Sequence, residues 1–253
     1  MGVYKEATCR SITMNSQLDC LRSRIGAYDW AKIFEQMDRD GWAVLPGLLE
    51  KEDCSSLARL YGPTETFRSH IHMARHGFGR GEYRYFSYPL PPLVETARSA
   101  LYPRLVPLAN QWSERMKQDV RFPEKLETFL ERCHDAGQKR PTPLLLEYRQ
   151  GDYNCLHQDL YGDHIFPMQV AVLLSEPGAD FTGGEFVLTE QRPRMQSRAA
   201  VVPLQKGDGV VFAVNSRPHR GARGDYRVTM RHGVSTVRSG IRHTLGLIFH
   251  DAL

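Results

Sequence analysis

His157-Gln158-Asp159, followed about seventy residues later by His232 and ten positions beyond that by Arg242, constrains this chain more than any other feature. In an extended segment residues i and i+2 point to the same side, so His157 and Asp159 can ligate one ion together while Gln158 faces away. The third ligand then has to come from a distant strand. Two imidazoles and one carboxylate on one face of a metal leave the opposite positions open, the geometry in which non-haem Fe(II) meets O2. A bare His-x-Asp is weak in a chain with ten histidines, so its surroundings decide.

Those surroundings read as strand. Residues 229–237 and 241–249 flank Arg238-Ser239-Gly240, and a three-residue hairpin fits, with Gly240 at the left-handed position. In that register Val237 faces Ile241, Thr236 faces Arg242 and His232 faces Gly246. His232, Arg242 and Thr244 then project to one side, and Gly246 leaves room beside the metal. A planar guanidinium suits the site because it can hold a carboxylate through two parallel hydrogen bonds. Taken singly, Arg242 could be a surface arginine and Thr244 a β-former facing solvent.

With these residues in place, the pattern over residues 143 to 253 resembles the 2-oxoglutarate and Fe(II)-dependent dioxygenase superfamily, on its bacterial prolyl-hydroxylase-like branch. The resemblance implies an α+β fold with a mainly β core, a double-stranded β-helix (jelly roll, cupin-like) buttressed by N-terminal helices. It implies that His157, Asp159 and His232 hold Fe(II) as the catalytic centre, and that Arg242 pairs with the far carboxylate of 2-oxoglutarate, with Thr244 as a second donor. Tyr148, nine residues before His157, matches a co-substrate-binding tyrosine; its ordinary alternative is a half-buried strand tyrosine. The implied activity is hydroxylation of a substrate C–H bond by O2, releasing succinate and CO2. Gly183-Gly184-Glu185 resembles a turn of hydroxylase relatives, and Gly207-Asp208 the turn before a core strand.

Two alternatives stay open. One is an oxidative demethylase of alkylated nucleic acid, but such demethylases carry an asparagine and a second arginine where this chain has Leu146 and Ile248, which favours a small-molecule or protein substrate. The other is a catalytically silent jelly-roll module that binds a metal or small acid. His219 competes with His232 as distal ligand, but it stands among Pro218, Arg220 and Gly221, which is loop chemistry, with no arginine ten positions on. His250 is too near the end of the sequence to be followed by an anchor, and His164 is expected on the substrate side or behind the ligands.

At 253 residues the chain can bury one substantial core. Residues 1–26 are expected to be a flexible N-terminal segment, although Leu18, Leu21 and Ile25 could mark a short helix. Residues 27–253 are expected to form a single domain, with helical support over 27–140 and the jelly-roll core over 143–253. Asp29 is placed as the N-cap for a helix ended by Gly41, a second helix spans 51 to 61, and further helices fall over 93–118 and 123–136, where Pro103, Pro107 and Pro123 break the pattern. Residues 67 to 92, with aromatics, arginines and glycines interleaved, read as a mobile recognition loop. His70, His72 and His76 there lack a partner carboxylate at suitable spacing for a second metal.

No apolar run approaches the roughly 18 residues needed to cross a bilayer, and the first ten residues have no apolar signal core, so a cytoplasmic protein without a membrane partner is expected. Five scattered cysteines indicate neither a disulfide framework nor a zinc cluster. The net charge of +4 is lopsided: from Glu190 onward eleven Lys or Arg stand against four acidic residues. Arginines there could form an electropositive rim for an anionic substrate, nucleic acid included, or simply a solvated basic face.

Overall fold

The computed structural model describes residues 14–62 and 65–253. In chain order its elements are α1 (Met14–Ala27), α2 (Trp30–Asp40), β1 (Trp42–Leu45), α3 (Lys51–Arg59), β2 (Phe67–His72), a 3-10 turn (Met73–Arg75), β3 (Gly79–Arg80), β4 (Glu82–Phe86), α4 (Pro92–Arg115) and α5 (Leu126–Asp135). There follow β5 (Leu144–Arg149), β6 (Tyr153–His157), β7 (Met168–Leu173), β8 (Phe181–Gly183), β9 (Phe186–Gln191), β10 (Arg198–Val202), β11 (Gly209–Ala213), β12 (Ser216–Gly221), β13 (Gly224–Val234) and β14 (Val237–Leu247).

Two antiparallel sheets are packed face to face. One has eight strands, in the order β1-β11-β7-β14-β5-β4-β2 with β8 added on β14; the other has six, β10-β9-β13-β6-β3 with β12 added on β13. The strand sequences explain the layering. Along β7 every residue is buried, because Val170 and Val172 face the helices while Ala171 and Leu173 face the opposing sheet. The outer layer joins these and Leu145, Leu245 and Leu247 to Leu101, Leu105 and Trp112 of α4. Between the sheets lies a second apolar cluster that includes Phe186, Leu188 and Phe212. The site described below opens within it.

Helix α2 begins and ends as its sequence dictates. The Asp29 carboxylate accepts from the Lys32 N–H, and Gly41, at φ 81°, closes the helix by donating its N–H to the Met37 carbonyl. Arg217, on β12 and fully buried, donates to the carbonyls of Asp38 (2.7 Å) and Arg39 (3.0 Å) and pairs with Glu190 of β9. One side chain thus ties the C-terminus of α2 to the six-stranded sheet. It is no part of an electropositive rim.

Several expectations are corrected. Residues 14–26, expected to be flexible with a short helix marked by Leu18, Leu21 and Ile25 as the alternative, follow the alternative: they belong to α1, which buries Leu21 and Ile25, and residues 1–13 lie outside the described residues. The span 27–140 is not only helical support, since β1 pairs with β11, β3 with β6 and β4 with β5. Residues 67–92 are accordingly no free loop but β2, a 3-10 turn, β3 and β4. Pro103 and Pro107 do not break α4: they sit one turn apart on its exposed side, where a helix can curve without losing core contacts.

The hairpin over 229–249 does not form. Strands β13 and β14 belong to different sheets, and the chain crosses between them at Ser235-Thr236. Gly240, at φ 78°, does adopt the left-handed conformation, but inside β14, where β8 pairs with an irregular register and a Cβ would fall 2.0 Å from the Asp180 carbonyl. The strand that fills this position is Phe181 to Gly183, so the turn expected at Gly183-Gly184-Glu185 begins at the last residue of a strand. His232 therefore does not face Gly246, which lies between Leu144 and Ala171.

Candidate functional site

His157 ends β6, and His232 sits directly opposite it on β13. Asp159 follows two residues after His157, beyond the end of the strand. Its two oxygens each face one imidazole, 3.4 Å from His157 Nε2 and 3.4 Å from His232 Nε2, with the rings 4.2 Å apart between centroids. One ligand atom from each residue lies within 4.8 Å of the others, a donor set that fits a divalent metal of the iron type.

The ligand side chains are held from behind. His157 donates Nδ1–H to the Cys155 carbonyl (2.7 Å), which leaves the Nε2 lone pair turned to Asp159. Gln158, between the two, faces away and donates to Asn215 Oδ1 (2.9 Å) and the Met230 carbonyl (2.8 Å), fastening the segment to the strand that carries His232. Tyr161 donates its hydroxyl to Asp159 Oδ1 at 2.7 Å. Phe212 and Phe186 pack on the His232 ring, at 4.6 and 6.0 Å between centroids.

Electrostatics favour the ligating forms of Asp159 and His232. Burial works to raise the Asp159 pKa, but the hydrogen bonds and charges of His157 and His232 outweigh it and hold the carboxyl well below its ordinary range. Burial lowers the pKa of His232 despite Asp159, which keeps that ring neutral. For His157 burial is again the largest influence and lowers the pKa, yet Asp159 and the Cys155 and His232 carbonyls together leave a net rise.

Deeper in the same cavity, of about 220 Å³, lie Arg242, Thr244 and Tyr148. Arg242 and Thr244 are two apart on β14 and point the same way; Tyr148 is opposite Arg242 on β5. Arg242 is 2% exposed and its guanidinium lies 5.6 Å from the Tyr148 ring centroid and 5.8 Å from that of Phe181. It donates to the Thr244 hydroxyl, its Nε has no partner, and among the described residues no carboxylate pairs with it. Burial pushes its pKa down to about 10, against the pull of Tyr148 and Glu185. Leaving a buried cation without its counter-charge costs roughly 3–5 kcal/mol, so the pocket is built for an anion that enters from outside.

The structure thus brings together all six residues singled out from the sequence: His157, Asp159, His232, Arg242, Thr244 and Tyr148. His164 stays out, lining a separate cavity beside α4; His250 is buried near Phe166, whose N–H it accepts at 3.3 Å. His219 is on a strand, β12, and not in a loop as expected, but it packs on Tyr226 and does not join the cluster. Tyr161 and Gln169 went unread. Gln169, a buried polar residue of β7 with an unpartnered Nε2, faces the cavity, and its signal was an amide inside Met168-Gln169-Val170-Ala171-Val172. From the segment 67–92, Phe78 and Tyr83 form part of the cavity wall. Leu146 lines the cavity as well, and Ile248 packs with Leu144 and Tyr85 beside it.

A family model named Oxygenase-NA, described as an oxygenase catalysing oxidative methylation of damaged DNA, matches residues 81–252. Two uncharacterized proteins of Mycobacterium tuberculosis, from strains CDC 1551 / Oshkosh and H37Rv, are each 49% identical over 167 residues, covering 66% of this chain and 72% of their own. Among solved structures, a prolyl-4-hydroxylase of Pseudomonas putida superposes with a TM-score of 0.52 at 15% identity, covering 88% of this chain and 99% of that one. An oxidoreductase of the 2OG-Fe(II) oxygenase family from Burkholderia pseudomallei gives 0.52 at 16% identity, covering 89% and 94%. These superpositions identify the fold as the double-stranded β-helix of such oxygenases. Among the described residues no helix is long and apolar enough to cross a membrane.

Proposed function

Since this chain belongs to the Oxygenase-NA family and is an oxygenase of the 2-oxoglutarate and Fe(II)-dependent kind, we propose that it hydroxylates a C–H bond on an alkylated nucleic-acid base. In this reading His157, Asp159 and His232 hold Fe(II), and Arg242, Thr244 and Tyr148 hold 2-oxoglutarate. The observation that carries it is the buried guanidinium of Arg242, without a carboxylate of its own, in the same cavity as the two imidazoles and Asp159. A silent binding module has no need of both features together.

Bound by these three ligands, Fe(II) supplies O2 activation coupled to oxidative decarboxylation of 2-oxoglutarate, which delivers oxygen to the substrate C–H bond and leaves succinate and CO2. The chain's own part is positioning. Arg242 and Thr244 offer donors to the far carboxylate, the apolar walls of Phe186 and Phe212 keep water from the ligands, and Tyr161 fixes the orientation of Asp159. When the hydroxylated carbon is attached to nitrogen, the product collapses to formaldehyde and the demethylated amine.

Two observations favour a nucleic-acid substrate over the peptide or small molecule that Leu146 and Ile248 pointed to. The first is the description of the family. The second is the cavity rim: Phe78, 48% exposed, stacks on His76 at 5.3 Å, with Arg75 and Arg80 exposed on the same segment. A base can stack on such rings while the arginines meet phosphate. Succinate release should be measured with N-methylated single-stranded DNA, with peptides and with free amino acids. The expected result is stimulation by methylated DNA together with formaldehyde; stimulation by peptide or amino acid alone refutes the substrate class.

A further inference from the structure

His70 and His72 lie two apart on the edge strand β2, on the face of the sheet opposite to the one from which Tyr83 meets the cavity. Across the ladder His72 is paired with Glu82 of β4, and His70 stands one step diagonal to it. The Glu82 carboxylate is bracketed: Oε2 is 2.7 Å from His70 Nε2 and Oε1 is 3.0 Å from His72 Nδ1, with the two rings 4.4 Å apart. This is the carboxylate that sequence spacing failed to supply, because it is distant in sequence and adjacent only through strand pairing. Among the described residues no lysine or arginine pairs with Glu82. Arg84, the next cation on that face, donates to the Gly62 carbonyl at 2.6 Å and lies over the Tyr61 ring.

We propose that His70, His72 and Glu82 form a second metal site, which takes a zinc ion and fastens the segment between His72 and Glu82 to the sheet. Two imidazole nitrogens and a carboxylate oxygen, each 34–38% exposed in its side chain, provide three ligands with a solvent-facing fourth position for water. Zinc needs no d-electron geometry and accepts this set. The consequence follows from what the clipped segment carries. It holds Met73, buried between the sheets, Phe78, which lines the cavity, and β3, which pairs with the strand ending in His157. Joining its two ends removes loop freedom, so zinc bound outside the sheet steadies the wall that faces substrate inside it. The site does not depend on the activity proposed for the cavity.

Equilibrium dialysis against Zn2+, with elemental analysis, tests this on a full chain whose cavity ligands are removed (His157→Ala with Asp159→Ala). One zinc per chain is expected, and none once His70→Ala and His72→Ala are added. No zinc in the first variant, or one zinc retained in the second, overturns the proposal and leaves the triad as a hydrogen-bonded imidazole–carboxylate cluster. Glu82→Gln, which preserves shape, should also lose the zinc with an unchanged circular dichroism spectrum. Tryptic cleavage at the exposed Arg75 and Arg80 gives an independent reading. Zinc at about 100 times its dissociation constant should slow cleavage there about 100-fold, since opening the segment requires release of the ion. An equal rate with and without zinc counts against the site.

Discussion

Arg242 is where residue chemistry and proposed function meet most closely. Replacing it by lysine keeps the charge but loses the planar pair of donors. The loss of one hydrogen bond to a charged group should raise KM for 2-oxoglutarate about 10- to 100-fold with kcat little changed, because the interaction is made equally in ground and transition states. An unchanged KM contradicts the assigned role. His250 tests the core instead. Burial, chiefly, lowers its pKa to about 4, so the folded chain refuses a proton that the unfolded chain takes up near pH 6.5. The sign follows: stability is full above pH 6.5 and falls as pH drops toward 4, by about 3 kcal/mol in all. Urea unfolding of the wild type and His250→Gln across this range should show a steeper loss in the wild type, and parallel slopes refute the assignment. The residues of the cavity were legible because motif spacing along strands is local. Gln169 and Glu82 were not, because what distinguishes them is a cavity or a partner reached across space, and Tyr161, although its partner Asp159 is two residues away, carries no spacing that sets it apart from an ordinary tyrosine.

Among the elements, α2 was the most readable, since an N-cap, an apolar period and a terminal glycine all act within one stretch of chain. The pair β13 and β14 was the least. A glycine in left-handed conformation between two β-rich runs fits a hairpin turn and a bulge equally well, and only the competition among all strands for partners selects the bulge. The aromatic-rich segment over 67–92 failed for the same reason: its strands are short and polar on one side, and pairing with β5 and β6 makes them. Arg217 shows what such long-range ties contribute. It satisfies two carbonyls at the end of α2 and shares the Glu190 carboxylate with Arg192, so Arg217→Ala leaves those buried carbonyls without their donor and Glu190 with Arg192 alone. The expected cost, at about 1–3 kcal/mol for each buried carbonyl left unpaired, is about 2–4 kcal/mol, seen as a lowered denaturant midpoint at unchanged slope. A change under about 0.5 kcal/mol would place Arg217 among ordinary surface residues.

Taken whole, the molecule sets two twisted sheets against each other and opens a cavity between them, lined by one strand pair that brings His157 and His232 together and another that places Arg242 beside Tyr148. The general fold was legible because the chain's later half carries strand, turn and ligand signals in the order of the superfamily. The contribution of the first half to both sheets was not, since edge strands are specified by what they pair with. Everything proposed for the cavity requires that iron and 2-oxoglutarate occupy it together. Anaerobic titration of the wild type with Fe(II) and 2-oxoglutarate measures this directly, through the weak visible charge-transfer band of the joint complex. The wild type should develop the band at one equivalent of iron and Asp159→Ala should not; a wild type without the band, or a band undiminished in Asp159→Ala, would contradict the assignment of this cavity as the oxygenase centre.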